Sequence, residues 1–358
     1  MLPYWLLFLI PAFQALNATQ VKVIKSGYKR WSYMWRFYFI FLFFMIGLRH
    51  EVGGDWLQYL YLLEVGKNLS FSESVIFSDP AFGTINWIAA QYNFGIYFVN
   101  SIFALIFTWG LLVFCRSQPL PWLALVVAVP YLITVVAMGY SRQGVAIGLI
   151  MLGIVSLNNK KSIKFLLFVG LAGIFHKSAI ILLPLVALPV ERRPFFTLFL
   201  LIVSAILLFS LLLLDHIDSL ISNYITTEYN SSGSTVRVAM NALPAAIFLI
   251  LRKRFGLDVG QRIFWTWVSC GAIMLCAVLL ISPSSTAVDR MALYWIPLQL
   301  FVWSRFPIVI DPSGNRRLFW IIAIIIYSAF IYLTWMLFAT QSHYWLPYQF
   351  LPWVLLWN

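Results

Sequence analysis

The sequence predicts an all-α polytopic transmembrane helix bundle, about twelve helical segments held almost wholly within a bilayer. Three observations carry this. Of 358 residues, 62% are hydrophobic and 10% charged, more apolar surface than a soluble fold of that length can hide. Apolar stretches of about twenty residues recur, enough to cross a hydrocarbon core of roughly 30 Å. The stretches are continuous rather than alternating, which excludes a transmembrane barrel and leaves helices to satisfy the backbone in lipid.

Taken in order, the first span covers about 2–17; Met1 to Ala15 lacks the basic start of a cleavable signal and is read as part of the fold. Lys22, Lys25, Lys29 and Arg30 follow, a basic cluster of the kind that marks the cytoplasmic side. The second span covers 31–48. A loop over 49–95 carries Glu51, Asp55, Glu64, Glu73 and Asp79 against one lysine, Lys67, and is placed outside. Spans then fall at 96–115, 119–139 and 143–158, punctuated by Arg116 and by Lys160, Lys161 and Lys164. Beyond Arg192 and Arg193 come 195–214, an outer loop 215–235, and spans at 236–251, 263–282, 288–304 and 318–339. Arg252, Lys253, Arg254, Arg262, Arg305, Arg316 and Arg317 mark the cytoplasmic turns between these late spans. No repeat, linker or low-complexity tract divides the chain, so 1–358 reads as one transmembrane domain.

The stretch between Lys164 and Arg192 is too long for a turn, yet one crossing would put a basic cluster on the wrong side. Two half-crossings, 163–175 up and 178–190 down, resolve this as a re-entrant hairpin near 163–190. A half-helix of thirteen residues rises only about 20 Å, so the tip His176-Lys177 is expected at membrane depth. Polar groups survive there only inside protein or beside a water-filled cavity. With this hairpin both termini lie outside.

Net charge is +12. The cations lie between apolar spans, so they read as topology signals and an anion site rather than a nucleic-acid surface. Cys115, Cys270 and Cys276 lie within or at the end of apolar segments and read as small hydrophobes, neither a disulfide framework nor a metal site. Six cations defy the cytoplasmic bias: Arg49, Lys67, Arg142, Lys177, Arg237 and Arg290. Lys67 sits in a soluble-looking loop. The other five stand at outer span ends or at the hairpin tip, together with His176, Asp55 and Asp289. Singly, each has an ordinary explanation: a snorkelling arginine, an Asp289–Arg290 pair, a core histidine, a Gly-Gly-Asp turn. Convergence on one face from six segments suits a lipid-linked phosphate or diphosphate, whose oxygens match guanidinium forks. Trp56, Tyr59, Tyr61, Tyr140, Tyr294, Tyr344, Trp345 and Tyr348 lie near that face and can stack on sugars, although interfacial aromatic belts have the same composition.

Leu48-Arg49-His50-Glu51-Val52-Gly53-Gly54-Asp55, followed by Tyr59, resembles the Arg-x(3)-Gly-Thr/Gly-Asp-x(2–3)-Tyr signature of EpsG-type, Wzy-like polymerases of exopolysaccharide or O-antigen repeat units. Gly54 stands where that family more often has Thr. Ser141-Arg142-Gln143 with Ala146, Phe175-His176-Lys177-Ser178, Asp289-Arg290 with Tyr294, and the tail Trp345-Leu346-Pro347-Tyr348 fit in the same order along nearly the whole chain. The resemblance implies a GT-C-like membrane glycosyltransferase of the bacterial cytoplasmic (inner) membrane, working on the periplasmic or outer face. It implies an undecaprenyl-diphosphate-linked glycan as donor and another as acceptor, no nucleotide sugar, no nucleic acid, and a chain-length regulator protein as partner.

On that reading Arg142, Arg237 and Arg290 hold the diphosphate leaving group, with Arg49 and Lys177 as further candidates, in place of a metal; no cofactor is expected. His176 is the first choice of general base and Asp55 the second. Gln143, Asp289, Tyr59, Tyr294 and Tyr348 are expected in support. No paired carboxylates stand at a readable spacing, which favours single displacement with inversion. A transporter or flippase predicts two halves with matched broken helices, and only one break is visible. An O-acyltransferase would also place a histidine in the membrane, but with access from the cytoplasm. An O-antigen ligase predicts a large late outer loop, and the late outer loops here are short.

Overall fold

A computed structural model describes residues 1–17, 31–187, 233–282 and 284–357, with isolated positions between 199 and 206. Helices account for its regular structure, and the one β-bridge among the described residues joins Arg49 to Phe350. The first helices are α1 (Leu2–Asn17), α2 (Tyr33–Gly47), α3 (Trp56–Gly66), α4 (Phe71–Phe77), α5 (Pro80–Gln91) and α6 (Gly95–Arg116). Next come α7 (Pro121–Ala128), continued by a π-helical stretch Val129–Ala137, then α8 (Ser141–Asn158) and α9 (Ser162–Phe175). The chain closes with α10 (Ser234–Leu251), α11 (Val259–Ile281), α12 (Ser285–Ala292), α13 (Ile296–Trp303), α14 (Phe306–Ile310), α15 (Arg317–Phe338) and α16 (Leu351–Trp357). Among the described residues, five stretches are long and apolar enough to cross a bilayer: α6, α8, Ser234–Phe255, α11 and α15. The expected span 195–214, the loop 215–235 up to residue 232, and the cations of 22–30 and 192–193 lie outside the described residues.

Burial identifies the centre of the bundle. From Pro121 to Ala137 every side chain is buried. In α15, by contrast, Phe319, Ile326, Phe330 and Phe338 are exposed, the pattern of a peripheral helix that presents one apolar face to lipid. Pro130 lacks an N–H for the helical ladder, and the central helix widens there to a π turn. Thr134 uses its hydroxyl to reach Val129 O at 3.0 Å and the Tyr332 hydroxyl at 2.8 Å, so its polar atom stays paired inside an apolar layer. α6 and α8 cross through glycines. A Cβ on Gly110 would lie 2.1 Å from the Gly148 carbonyl oxygen, so only the absence of side chains lets the two backbones touch.

The bundle has two chemically distinct ends. At one, Arg116 closes α6 with its guanidinium 4.6 Å over the Trp31 ring. Arg305 lies 4.1 Å over Phe301 there and donates to Gln118 Oε1. At the other end stand the start of α8, the 49–95 region and the turn after α9.

Three departures from the sequence reading matter for the site. The region 49–95 is not a loop but carries α3, α4 and α5. Its signals were local: Ser70 and Glu73 form a reciprocal capping box and Pro80 opens α5, both standard helix starts. The span 288–304 is broken into α12, a 3₁₀ turn Leu293–Trp295 and α13, with Pro297 at the second position of α13 removing a ladder donor. The hairpin limb after α9 is 3₁₀ over Lys177–Ala187 rather than α. His176 between the limbs is extended, at φ −157° and ψ 109°. Phe165 on one limb and Leu182 and Leu185 on the other line a common apolar cleft, so the limbs fold back on each other. The path beyond Ala187 lies outside the described residues.

Candidate active site

The turn after α2 is held from two sides. Gly53 has φ +109°, and a Cβ there would lie 2.3 Å from Met138 O; glycine alone fits this backbone and this approach. Gly53 N donates to Tyr344 O at 2.9 Å, His50 N to Gln349 O at 3.0 Å, and Leu351 N to Leu48 O at 2.9 Å. The C-terminal tail thus clasps the turn. Trp345 Nε1 donates to Thr134 O at 2.7 Å, and the Tyr348 hydroxyl to Met45 O at 2.8 Å. Tyr348 is buried and acts as a strut beneath the site.

Arg49 points inward from this turn and is 1% exposed. Its guanidinium donates to Ile46 O at 2.5 Å, Val52 O at 3.2 Å, Asn100 Oδ1 at 3.1 Å and Ser141 Oγ at 2.7 Å. It ties α2, α6 and α8 together through four of its N–H groups. Asp55, six residues on, precedes α3 and lies 3.5 Å from the Tyr59 hydroxyl. Burial raises the Asp55 carboxyl above the ordinary range, and the Arg290 and Arg142 guanidiniums offset only part of this. No ion pair within 4.0 Å links Asp55 to any described cation, so its carboxyl faces them across a gap.

The centre of the site is Asp79, one of the five acids of the 49–95 region. Asp79 occupies the position before Pro80, where an N-cap is expected, yet its side chain makes no cap bond. It turns inward instead. Oδ2 accepts from Arg142 Nη1 at 3.1 Å and lies 3.3 Å from His176 Nδ1, while Oδ1 accepts from Lys177 N at 3.1 Å. One carboxylate thereby joins the start of α5, the start of α8 and the hairpin tip. Burial alone would raise Asp79, but the hydrogen bond and charge of His176, with the Arg142 charge, hold it below the ordinary carboxylate range. Arg142 also lies 4.9 Å over the Phe82 ring. An Asp-Pro pair opening a helix is so ordinary a cap signal that no feature of the sequence distinguished Asp79.

A second pair comes from α10 and α12. Arg237 is bidentate to Asp289, Nε to Oδ1 and Nη2 to Oδ2, each 2.8 Å. Arg290, next along α12, stands differently. Its guanidinium lies 4.0 Å over the Tyr140 ring and its carbonyl accepts from Gln143 Nε2 at 2.6 Å. Among the described residues no carboxylate pairs with Arg290 or with the Lys177 ammonium. The Tyr294 hydroxyl lies 3.0 Å from Ser178 Oγ, joining the broken span to the hairpin. Arg142, His176, Lys177, Arg237, Asp289, Arg290, Gln143, Tyr294, Asp55 and Tyr59 therefore gather at one end of the bundle. Arg49 and Tyr348 support the end from beneath. No group of three His, Cys, Asp or Glu side chains suited to a metal occurs among the described residues.

The EpsG family matches residues 32–350, which include every residue of this cluster. No curated protein and no solved structure matches the chain.

Proposed function

We propose that this chain, which belongs to the EpsG family, polymerises polysaccharide by transferring a growing glycan from undecaprenyl diphosphate onto the sugar of an incoming lipid-linked repeat unit. Family membership and the apolar helices point to a membrane protein of polysaccharide-polymerase type; donor, face and stereochemistry are our reading. The observation that carries it is the combination at one end of the bundle of His176 with Arg290 and Lys177, two cations that no carboxylate among the described residues pairs.

The donor diphosphate sits against Arg290 and Lys177, while Arg142 and Arg237, held by Asp79 and Asp289, shape the surrounding wall. The acceptor hydroxyl oxygen attacks the anomeric carbon and forms the new glycosidic bond. The anomeric carbon–oxygen bond to diphosphate breaks, and its electron pair leaves on the phosphate. The hydroxyl proton passes to His176 Nε2. Preorganised cations at the developing phosphate charge supply the stabilisation that many transferases take from a divalent metal, so the reaction is proposed as metal-independent and, as a single displacement, inverting. Asp55, with its raised carboxyl, is the alternative base. The basic end of the bundle faces the cytoplasm and the site faces the periplasm or exterior.

Reconstitution in liposomes with a lipid-linked repeat unit tests this. His176→Ala is expected to abolish chain extension while lipid-diphosphate binding persists, and near-normal polymer would remove His176 as base. Activity lost to a chelator would end the metal-free proposal. In cells, deletion is expected to leave single repeat units on the lipid at the outer face. Long unattached chains would indicate a ligase instead, and units stranded inside a flippase.

A further inference from the structure

We propose that Asp79 is a positioning residue for the transfer step: it holds His176 as the tautomer protonated on Nδ1, leaving Nε2 to receive the acceptor proton. This rests on His176 being the base.

The geometry carries the assignment. Asp79 Oδ2 lies 3.3 Å from His176 Nδ1 and the side chain is 8% exposed, so water competes poorly for that nitrogen. Arg142 Nη1 and Lys177 N already donate to the same carboxylate, which keeps it anionic and able only to accept. An imidazole nitrogen facing a pure acceptor must carry the proton, which fixes the other nitrogen as the acceptor. The ring's origin is fixed as well: His176 N donates to Ala172 O at 2.8 Å and its carbonyl accepts from Ala179 N at 2.9 Å. A carboxylate there also stabilises the imidazolium formed when the proton arrives. The other charged or titratable groups around the pair are Arg142, Lys177, Arg290, Asp55, Tyr59 and Tyr294.

Asp79→Asn separates this role from a merely structural one. An asparagine amide turned toward the ring donates to Nδ1 and drives the proton to Nε2, the nitrogen the reaction needs empty. The full-length protein is labelled with ¹⁵N-histidine and studied in liposomes, with His176 assigned by difference against His176→Asn. The wild-type ring is expected to be protonated on Nδ1, and Asp79→Asn to move that proton to Nε2. Chain extension is expected to show kcat lower by about 10²–10³-fold, with KM for the lipid-linked substrate within about threefold and partial recovery in Asp79→Glu. A wild-type His176 protonated on Nε2 overturns the proposal without any variant. An Asp79→Asn enzyme that turns over normally while His176→Asn does not also overturns it, and leaves the base assignment standing. Normal turnover by His176→Asn instead sinks the base assignment, and this role with it.

Discussion

Arg49 offers the sharpest separation of a ligand-binding cation from a structural one. Its signature position invites a diphosphate role, but its four acceptors are all protein atoms: Ile46 O, Val52 O, Asn100 Oδ1 and Ser141 Oγ. Arg49→Ala removes four donors in one step, and at 1% exposure water cannot replace them without opening the packing. A buried acceptor stripped of its donor costs roughly 1–3 kcal/mol. Because relaxation is shared among four neighbours, about 3–5 kcal/mol is a fair total. At about 2.1 cal/mol/K of unfolding entropy per residue, a chain of 358 residues would lose roughly 5 °C in Tm. Arg49→Lys keeps the charge but reaches fewer of the four acceptors, and is expected to fall between. The assay is thermal unfolding of purified protein in detergent, read by size-exclusion fluorescence, beside binding of a short-chain prenyl diphosphate to the folded fraction. The expected outcome is a lowered Tm with binding within about threefold of wild type. A wild-type Tm with binding lost would refute this reasoning and return Arg49 to the ligand site.

Arg290→Gln is expected to do the reverse, weakening prenyl-diphosphate binding by about 10–100-fold through loss of a charge-assisted contact and leaving Tm unchanged; unaltered affinity in calorimetry would discard Arg290 as the clamp. The two site carboxylates should respond to pH with opposite sign. The lowered Asp79 contributes stability that is present above the ordinary carboxylate value near 3.9 and lost as pH falls through its lower folded value, so Asp79→Asn should be less stable than wild type at neutral pH and converge with it in acid. The raised Asp55 opposes folding once ionised, so Asp55→Asn should be the more stable protein at neutral pH, with the advantage gone below about pH 4; melting curves between about pH 2 and about pH 7.5 check both signs. Cysteines placed at 160 and 193 should label from the same side of the membrane, and labelling from opposite sides would end the re-entrant hairpin.

What was legible in the sequence follows the physics of each signal. Spans are written in long apolar runs and sided by basic clusters, so α1, α2, α6, the Pro121–Ala137 helix, α8, α10, α11 and α15 fall where hydropathy put them. The hairpin turn at His176 was legible because charge topology forbade a single crossing. The helices α3 to α5 were not, although a capping box and Asp79-Pro80 were present; the acidity that marks the region says nothing of its folding. The cluster at the site was legible as a set of cations defying topology. Their division of labour was not, because whether an arginine meets a carboxylate, a carbonyl or a ligand depends on elements far apart in sequence. Asp79 and His176 are 97 residues apart.

That division of labour gives the site its logic. A buried cation needs a partner, and the paired ones here have partners of two kinds. Arg49 has four neutral protein acceptors, which fix the turn. Arg142 and Arg237 each have an aspartate from another element, Asp79 and Asp289, so their charges are held in place while most of their long-range field is cancelled. Among the described residues no carboxylate pairs with Arg290 or Lys177: one lies on the Tyr140 ring, the other at a turn whose backbone is bound to Asp79. An anion entering such a site gains little from displacing a carboxylate and much from the two cations without one. Substrate binding should therefore be more sensitive to charge removal at Arg290 and Lys177 than at Arg142 and Arg237, whose loss would instead be felt through the buried aspartates they leave behind.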